Sequence, residues 1–186
     1  MQIHERYILV IDLEATCCDD RSISRRQMEI IEIGAVILDL RDRRVISEFQ
    51  RFVRPVRHPQ LTPYCHQLTT ITQADVDTAP TFPLVLQEML TWLATQPHPV
   101  RFASWGAYDK HQFKQDCAFH RVAYPFSGEH LNLKQVFATT IDPHRSWPLI
   151  PALEHLGLSL HGTHHRGIDD ARNITAIALK LIETIA

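Results

Sequence analysis

The chain has 186 residues, 45% of them hydrophobic, and a formal net charge of -2, which fits one domain over residues 1–186 with a substantial core and no second module. That charge argues against a globally basic nucleic-acid binder, although local arginines and bound cations can still carry a phosphate partner. The apolar stretch near the N-terminus is short and runs into Asp12, so neither a signal peptide nor a membrane span is expected, and the protein is expected to be soluble and cytoplasmic.

In chain order, Tyr7-Ile8-Leu9-Val10-Ile11 reads as a buried strand ending at Asp12 and Glu14. Ile30 to Leu38 and Val45 to Val53 read as two further strands, separated by the charged turn Asp39 to Arg44. The adjacent thiols Cys17 and Cys18, with Cys65 and Cys117 far off, match neither a zinc module nor a secreted disulfide framework; reduced, non-catalytic thiols are expected. From Phe82, apolar residues at Val85, Leu86, Met89, Leu90 and Leu93 have helical spacing, stopped by Pro97 and Pro99. Val100 to Ser104 gives a fourth strand and Tyr108 to about Phe119 a helix. The last helix carries Ile174, Ile177, Ala178, Leu181, Ile182 and Ile185 on one stripe. Pro55 to Pro63 and Pro143 to Pro151 are expected as loops. Strands first, with helices between and after them, predict a three-layer α/β domain.

Acid-x-acid pairs are common, and 21 acidic residues in 186 give roughly two by composition alone. One of them, Asp75 and Asp77, lies in a polar stretch that a solvated face or a helix cap explains. Asp12 and Glu14 differ because they end a buried-looking strand and point the same way from it. Buried carboxylates are costly without cations, so this pair points to a metal site. Asp109 sits where a strand passes through Gly106 into a helix, and an acid in a helix's first turn is favoured by the dipole even without a function. On an unbroken helix His165 and Asp170 would face about 140° apart. If the chain is irregular through Gly167 and the helix begins near Asp169, both reach one cleft, with Asp169 as the natural cap and His164 as a solvated neighbour. A neutral imidazole there can deprotonate water near pH 7.

Asp12, Glu14, Asp109, His165 and Asp170 together resemble the DEDDh family of 3′→5′ exonucleases, whose motifs run Asp-x-Glu, a middle Asp, and His-x4-Asp in this order. The likeness extends to Asp12-Leu13-Glu14-Ala15-Thr16-Cys17, Ile31-Glu32-Ile33-Gly34-Ala35, Phe52-Val53-Arg54-Pro55, Leu68 to Gln73, Ser104-Trp105-Gly106 and His165 to Asn173. These features most resemble the branch that includes the 3′ histone-mRNA and enhanced-RNAi exonucleases, and they cover the chain from about Tyr7 onward. Two positions depart from the pattern. Leu13 replaces the usual aromatic, turning a stacking contact into an aliphatic wedge, and Thr70 replaces a glycine, giving up its freedom to take positive φ.

The resemblance implies a ribonuclease H-like fold with a five-stranded mixed sheet flanked by helices. It implies two Mg²⁺ or Mn²⁺ ions, one held by Asp12, Glu14 and Asp170 and the other by Asp12 and Asp109, with His165 as general base. It implies removal of nucleoside 5′-monophosphates one at a time from the free 3′ end of single-stranded nucleic acid, RNA before DNA. Leu13 and the backbone at Ala15 and Thr16 would pack the terminal nucleotide, with Leu68 and Trp105 lending apolar or stacking surface. Trp105 is first expected in the core, and Arg21, Arg25 and Arg26 are first expected in a solvated loop, with phosphate binding as the alternative. A DNA-directed exonuclease and a non-catalytic scaffold are the rival readings; the latter has no need of clustered, repelling carboxylates. A zinc protein is a third rival, but the 12 histidines lack a tetrahedral ligand spacing.

Overall fold

The run Tyr7–Ala15 forms one strand, β1, because its apolar, β-branched side chains suit a pleated ribbon covered on both faces. The computed structural model describes residues 5–185. β2 (Ile30–Asp39) pairs antiparallel with β1, and β3 (Arg44–Phe52) pairs antiparallel with β2. β4 (Val100–Ser104) lies parallel on the other side of β1, with the two-residue β5 (Leu131–Asn132) beyond it. The order β3-β2-β1-β4-β5 is the mixed five-stranded sheet that the family resemblance implies. The third strand is displaced by one residue from the expected Val45 to Val53.

Seven helices complete the described chain: α1 (Pro63–Thr69), α2 (Gln73–Asp77), α3 (Phe82–Ala94), α4 (Tyr108–His120), α5 (Leu133–Ile141), α6 (Leu149–His155) and α7 (Gly167–Ile185). Alternation along β1 sorts them into two outer layers. Ile8 and Val10 pack with Phe137, Leu153, Ile174 and Ile177 of α5, α6 and α7, while Leu9, Ile11 and Leu13 pack with Val85, Met89 and Phe113 of α3 and α4. On the α7 stripe Ile174, Ile177, Ala178 and Leu181 are buried; the Ile185 side chain lies outside the described residues. No helix among the described residues is long and apolar enough to cross a membrane, and the four cysteines are free.

Several local expectations are corrected. The stretch expected as a loop from Pro143 to Pro151 ends at Pro148, and α6 runs through Pro151, whose missing N–H costs nothing in a first turn. α5 follows directly on β5, started by Asn132, whose side chain accepts from the Gln135 N–H at 3.1 Å. Asp75 does cap a helix, in a reciprocal box with Thr72. Thr70 takes the left-handed φ of 61° despite its Cβ, because ending α1 there lets its N–H reach the His66 carbonyl at 2.8 Å.

Candidate active site

β4 pairs with β1 only from Tyr7 to Val10, whereas β2 stays beside β1 as far as Ala15. Asp12 and Glu14 thus lie within β1 but past the end of its parallel neighbour. A crevice opens there, at the carboxyl ends of two parallel strands. Gly106, at φ 113°, turns the chain from β4 into α4, whose first turn delivers Asp109 to the same crevice. The Asp109 carboxylate accepts from the Leu13 N–H at 3.1 Å, a backbone donor that β4 has left unpaired.

From the opposite layer, the start of α7 presses onto β1 and β2. A Cβ at Gly34 would run into the backbone of Gly167 and Ile168, so two glycines permit the approach. α7 starts at Gly167, earlier than the Asp169 start expected, and its Asp170 N–H bonds the Arg166 carbonyl at 2.8 Å. Asp169 is therefore not the cap: it lies in the first turn, where it accepts from the Thr163 N–H and pairs with Arg172. Asp170, 3% exposed, points into the crevice, and ligand oxygens of Asp12, Glu14 and Asp170 lie within 4.8 Å of one another.

His165 stands in the loop before α7, as the spacing required, at a left-handed φ of 63°. Its N–H, rather than its ring, bonds the Asp170 carboxylate at 2.9 Å. His164 is not the solvated neighbour expected. Its Nδ1 lies 2.9 Å from Asp170 Oδ2, and its ring stacks on that of His165 at 3.9 Å. Burial and the neighbouring His164 lower the His165 pKa, with Asp170 opposing. Burial, then the charges of Asp109, Glu14 and Asp170, raise the Asp12 pKa well above the ordinary carboxyl range. Glu14 is raised likewise by burial, Asp170 and Glu32, and Asp109 is raised to about 6 by burial, against hydrogen bonds that lower it.

The cleft is lined by Asp12, Leu13, Glu14, Ala15, Leu68, Trp105, Asp109, His165 and Asp170. Thr16 is not brought to it: the residue is buried, its N–H on the Glu29 carbonyl and its hydroxyl accepting from the Glu29 N–H. Trp105 serves the core as well, its indole N–H on the Trp147 carbonyl at 3.0 Å and its ring edge-on to Phe137. Tyr108, Arg25, Met28, Pro148 and Leu149 also line the cleft without having been assigned to it from sequence. Glu32, fully buried and opposite Glu14, also went unassigned; it accepts from Arg166 Nε and from the Gly167 N–H, each at 3.0 Å, and so ties the start of α7 to β2. The Ile31-Glu32-Ile33 run looks apolar enough to hide it, and its burial is explained by remote donors: Arg166, the Gly167 N–H and Gln50 Nε2 at 3.0 Å.

Asp12, Glu14 and Asp170 form a cluster of carboxylates in which burial and neighbouring negative charge disfavour ionisation of Asp12 and Glu14, and such a cluster is matched to a hard divalent cation. Oxygen donors fit Mg²⁺ or Mn²⁺ better than a soft metal.

The profile of the family described as Exonuclease matches residues 9–178. The human 3'-5' exoribonuclease 1 is 33% identical over 184 residues, which cover 95% of this chain and 52% of the human protein. The chain thus spans about half the length of the curated relatives it matches. Among solved structures, the nuclease domain of 3'hExo, a DEDDh family member bound to rAMP, superposes with a TM-score of 0.89 at 31% identity, over 97% of this chain and 94% of that one. A structure of 3'-end specific recognition of histone mRNA stem-loop by 3'-exonuclease has a TM-score of 0.88 at 30% identity, covering 98% and 84%.

Proposed function

The chain belongs to the exonuclease family, in its DEDDh group, and on that footing we propose that it removes nucleoside 5′-monophosphates from the 3′ end of single-stranded RNA. The observation that carries the reading is the cluster of Asp12, Glu14 and Asp170, with His165 on the same cleft wall. Asp12, Glu14 and Asp170 would hold one divalent cation, and Asp12 with Asp109 would hold a second; such a pair would supply charge stabilisation to both the attacking and the leaving oxygen of an in-line displacement.

The protein's own residues do the rest. His165, neutral at physiological pH because its surroundings lower its pKa, takes the proton of the attacking water at a ring nitrogen. The hydrogen bond from its N–H to Asp170 fixes the loop that carries the ring. Leu13, Ala15, Leu68 and Trp105 give the terminal nucleotide an apolar seat and exclude water from it. RNA is assigned as the polymer from the relatives' activity, as is the 3′ polarity.

The test offers end-labelled single-stranded RNA and DNA of one sequence, linear and circular, with Mg²⁺, Mn²⁺ or EDTA. The expected result is shortening from the 3′ end, mononucleotide products, intact circles and no reaction in EDTA, with RNA degraded at least as fast as DNA. Cleavage of circles would convert the reading to an endonuclease, and hydrolysis in EDTA would overturn it.

A further inference from the structure

The loop between β1 and β2 carries Arg21, Arg25 and Arg26, and among the described residues none of these takes part in an ion pair. Arg6, Arg51, Arg101, Arg166 and Arg172, by contrast, each hold a carboxylate. The loop is nevertheless fixed. Gln115 Nε2 donates to the carbonyls of Arg25 at 3.1 Å and Met28 at 2.8 Å, Gln112 Nε2 donates to Met28 at 2.9 Å, and Arg57 Nη1 donates to the Arg26 carbonyl at 3.0 Å. The N–H groups of Gln27 and Met28 turn back onto the Ser24 carbonyl. The carbonyls of Ser24, Arg25, Arg26 and Met28 are therefore satisfied by the turn itself, by α4 and by Arg57, while the Arg25 and Arg26 side chains stay exposed. Arg25 lines the cleft itself, on a wall with Met28.

We infer that Arg25 and Arg26 form a shelf that binds the phosphates of a single-stranded nucleic acid upstream of its terminal nucleotide; this rests on the reading above that the cleft takes a 3′ end. The cleft floor is acidic and draws in a polyanion only where cations cover it, so phosphates beyond the scissile one meet no such cover. With a net charge of -2 the molecule has no overall field to hold them. Guanidinium groups without a carboxylate, on a turn already ordered, bind phosphate bidentately at little ordering cost. Arg57 is not part of the shelf: its guanidinium lies 3.4 Å from the Phe119 ring centroid and buttresses the turn from below.

The test is binding of labelled single-stranded RNA, a dinucleotide and an octamer, followed by fluorescence anisotropy across a salt series with Ca²⁺ replacing Mg²⁺, so that binding is read apart from turnover. In the Arg25→Ala/Arg26→Ala variant the slope of log affinity against log salt for the octamer should shrink by about 1.4, at roughly 0.7 for each single-strand phosphate that an arginine no longer neutralises. Octamer affinity should fall on the order of tenfold at moderate salt, dinucleotide affinity much less, and the double Lys variant should keep most of the slope. An unchanged slope, or equal losses for dinucleotide and octamer, would overturn the shelf. Wild-type protein that binds RNA with the expected slope yet never hydrolyses it would overturn the exonuclease reading and leave the shelf standing; wild-type protein that binds no RNA overturns both.

Discussion

The two halves of β1 are one continuous strand with opposite physical characters. From Ile8 to Ile11 every residue is fully buried, with β2 on one side and, through Val10, β4 on the other. Each such side chain contributes about 1.5–3 kcal/mol by leaving water. From Asp12 to Glu14 the strand keeps β2 but has lost β4, and carboxylates from β1, α4 and α7 converge where that partner ends. Burial and mutual repulsion there oppose folding until a counter-charge arrives. The rigid half thus supplies the stability against which the acidic half is held in a costly, preorganised state.

Asp12→Asn should have the largest effect of any change in the acidic half. Turnover should be abolished while the protein stays folded, and the cation-free variant should melt higher than wild type because one repelling charge is gone; retained turnover in Mg²⁺ would remove Asp12 from the site. His165→Ala should lower the rate by about 10²–10⁴-fold with cation affinity largely kept. Because only the neutral ring accepts a proton, the wild-type rate should rise with pH, its midpoint below the ordinary histidine value of about 6.5, since burial lowers this pKa. An Ala variant with the wild-type pH profile would rule His165 out as the base. On the apolar half, Ile8→Ala should cost about 2–5 kcal/mol of stability by leaving a cavity between β1 and α7, read from denaturant melts, with the rate per folded molecule preserved.

Asp12, Glu14 and Asp109 have folded-state pKa values above their unfolded ones, so the native state binds protons more tightly across that window. Stability of the cation-free protein should therefore be fully supported at acidic pH and decline as pH rises from the ordinary carboxyl range through about 6, where Asp109 titrates. Saturating Mg²⁺ should flatten the decline. A cation-free stability that rises over this window would contradict the assigned shifts.

Much of this was readable from residues. The apolar run into Asp12 and Glu14, the glycine turn before Asp109 and the break required between His165 and Asp170 each carry a local signal. What stayed hidden depends on side-chain partners that sequence periodicity does not reveal. Arg166, the Gly167 N–H and Gln50 are the reason Glu32 can be buried, Asp170 is the reason His164 is drawn inward, and Glu29 is the reason Thr16 turns away from the cleft. α6 was masked by Pro151, which reads as a breaker in sequence but occupies a first turn in the fold.

The central claim, that the acidic half of β1 exists to hold divalent cations, is tested most directly by calorimetric titration of Mn²⁺ into the wild type and into Asp12→Asn. The wild type should bind Mn²⁺ and gain melting temperature with it, and Asp12→Asn should lose both the heat and the gain. Equal binding by the two proteins, or no binding by the wild type, would contradict the claim.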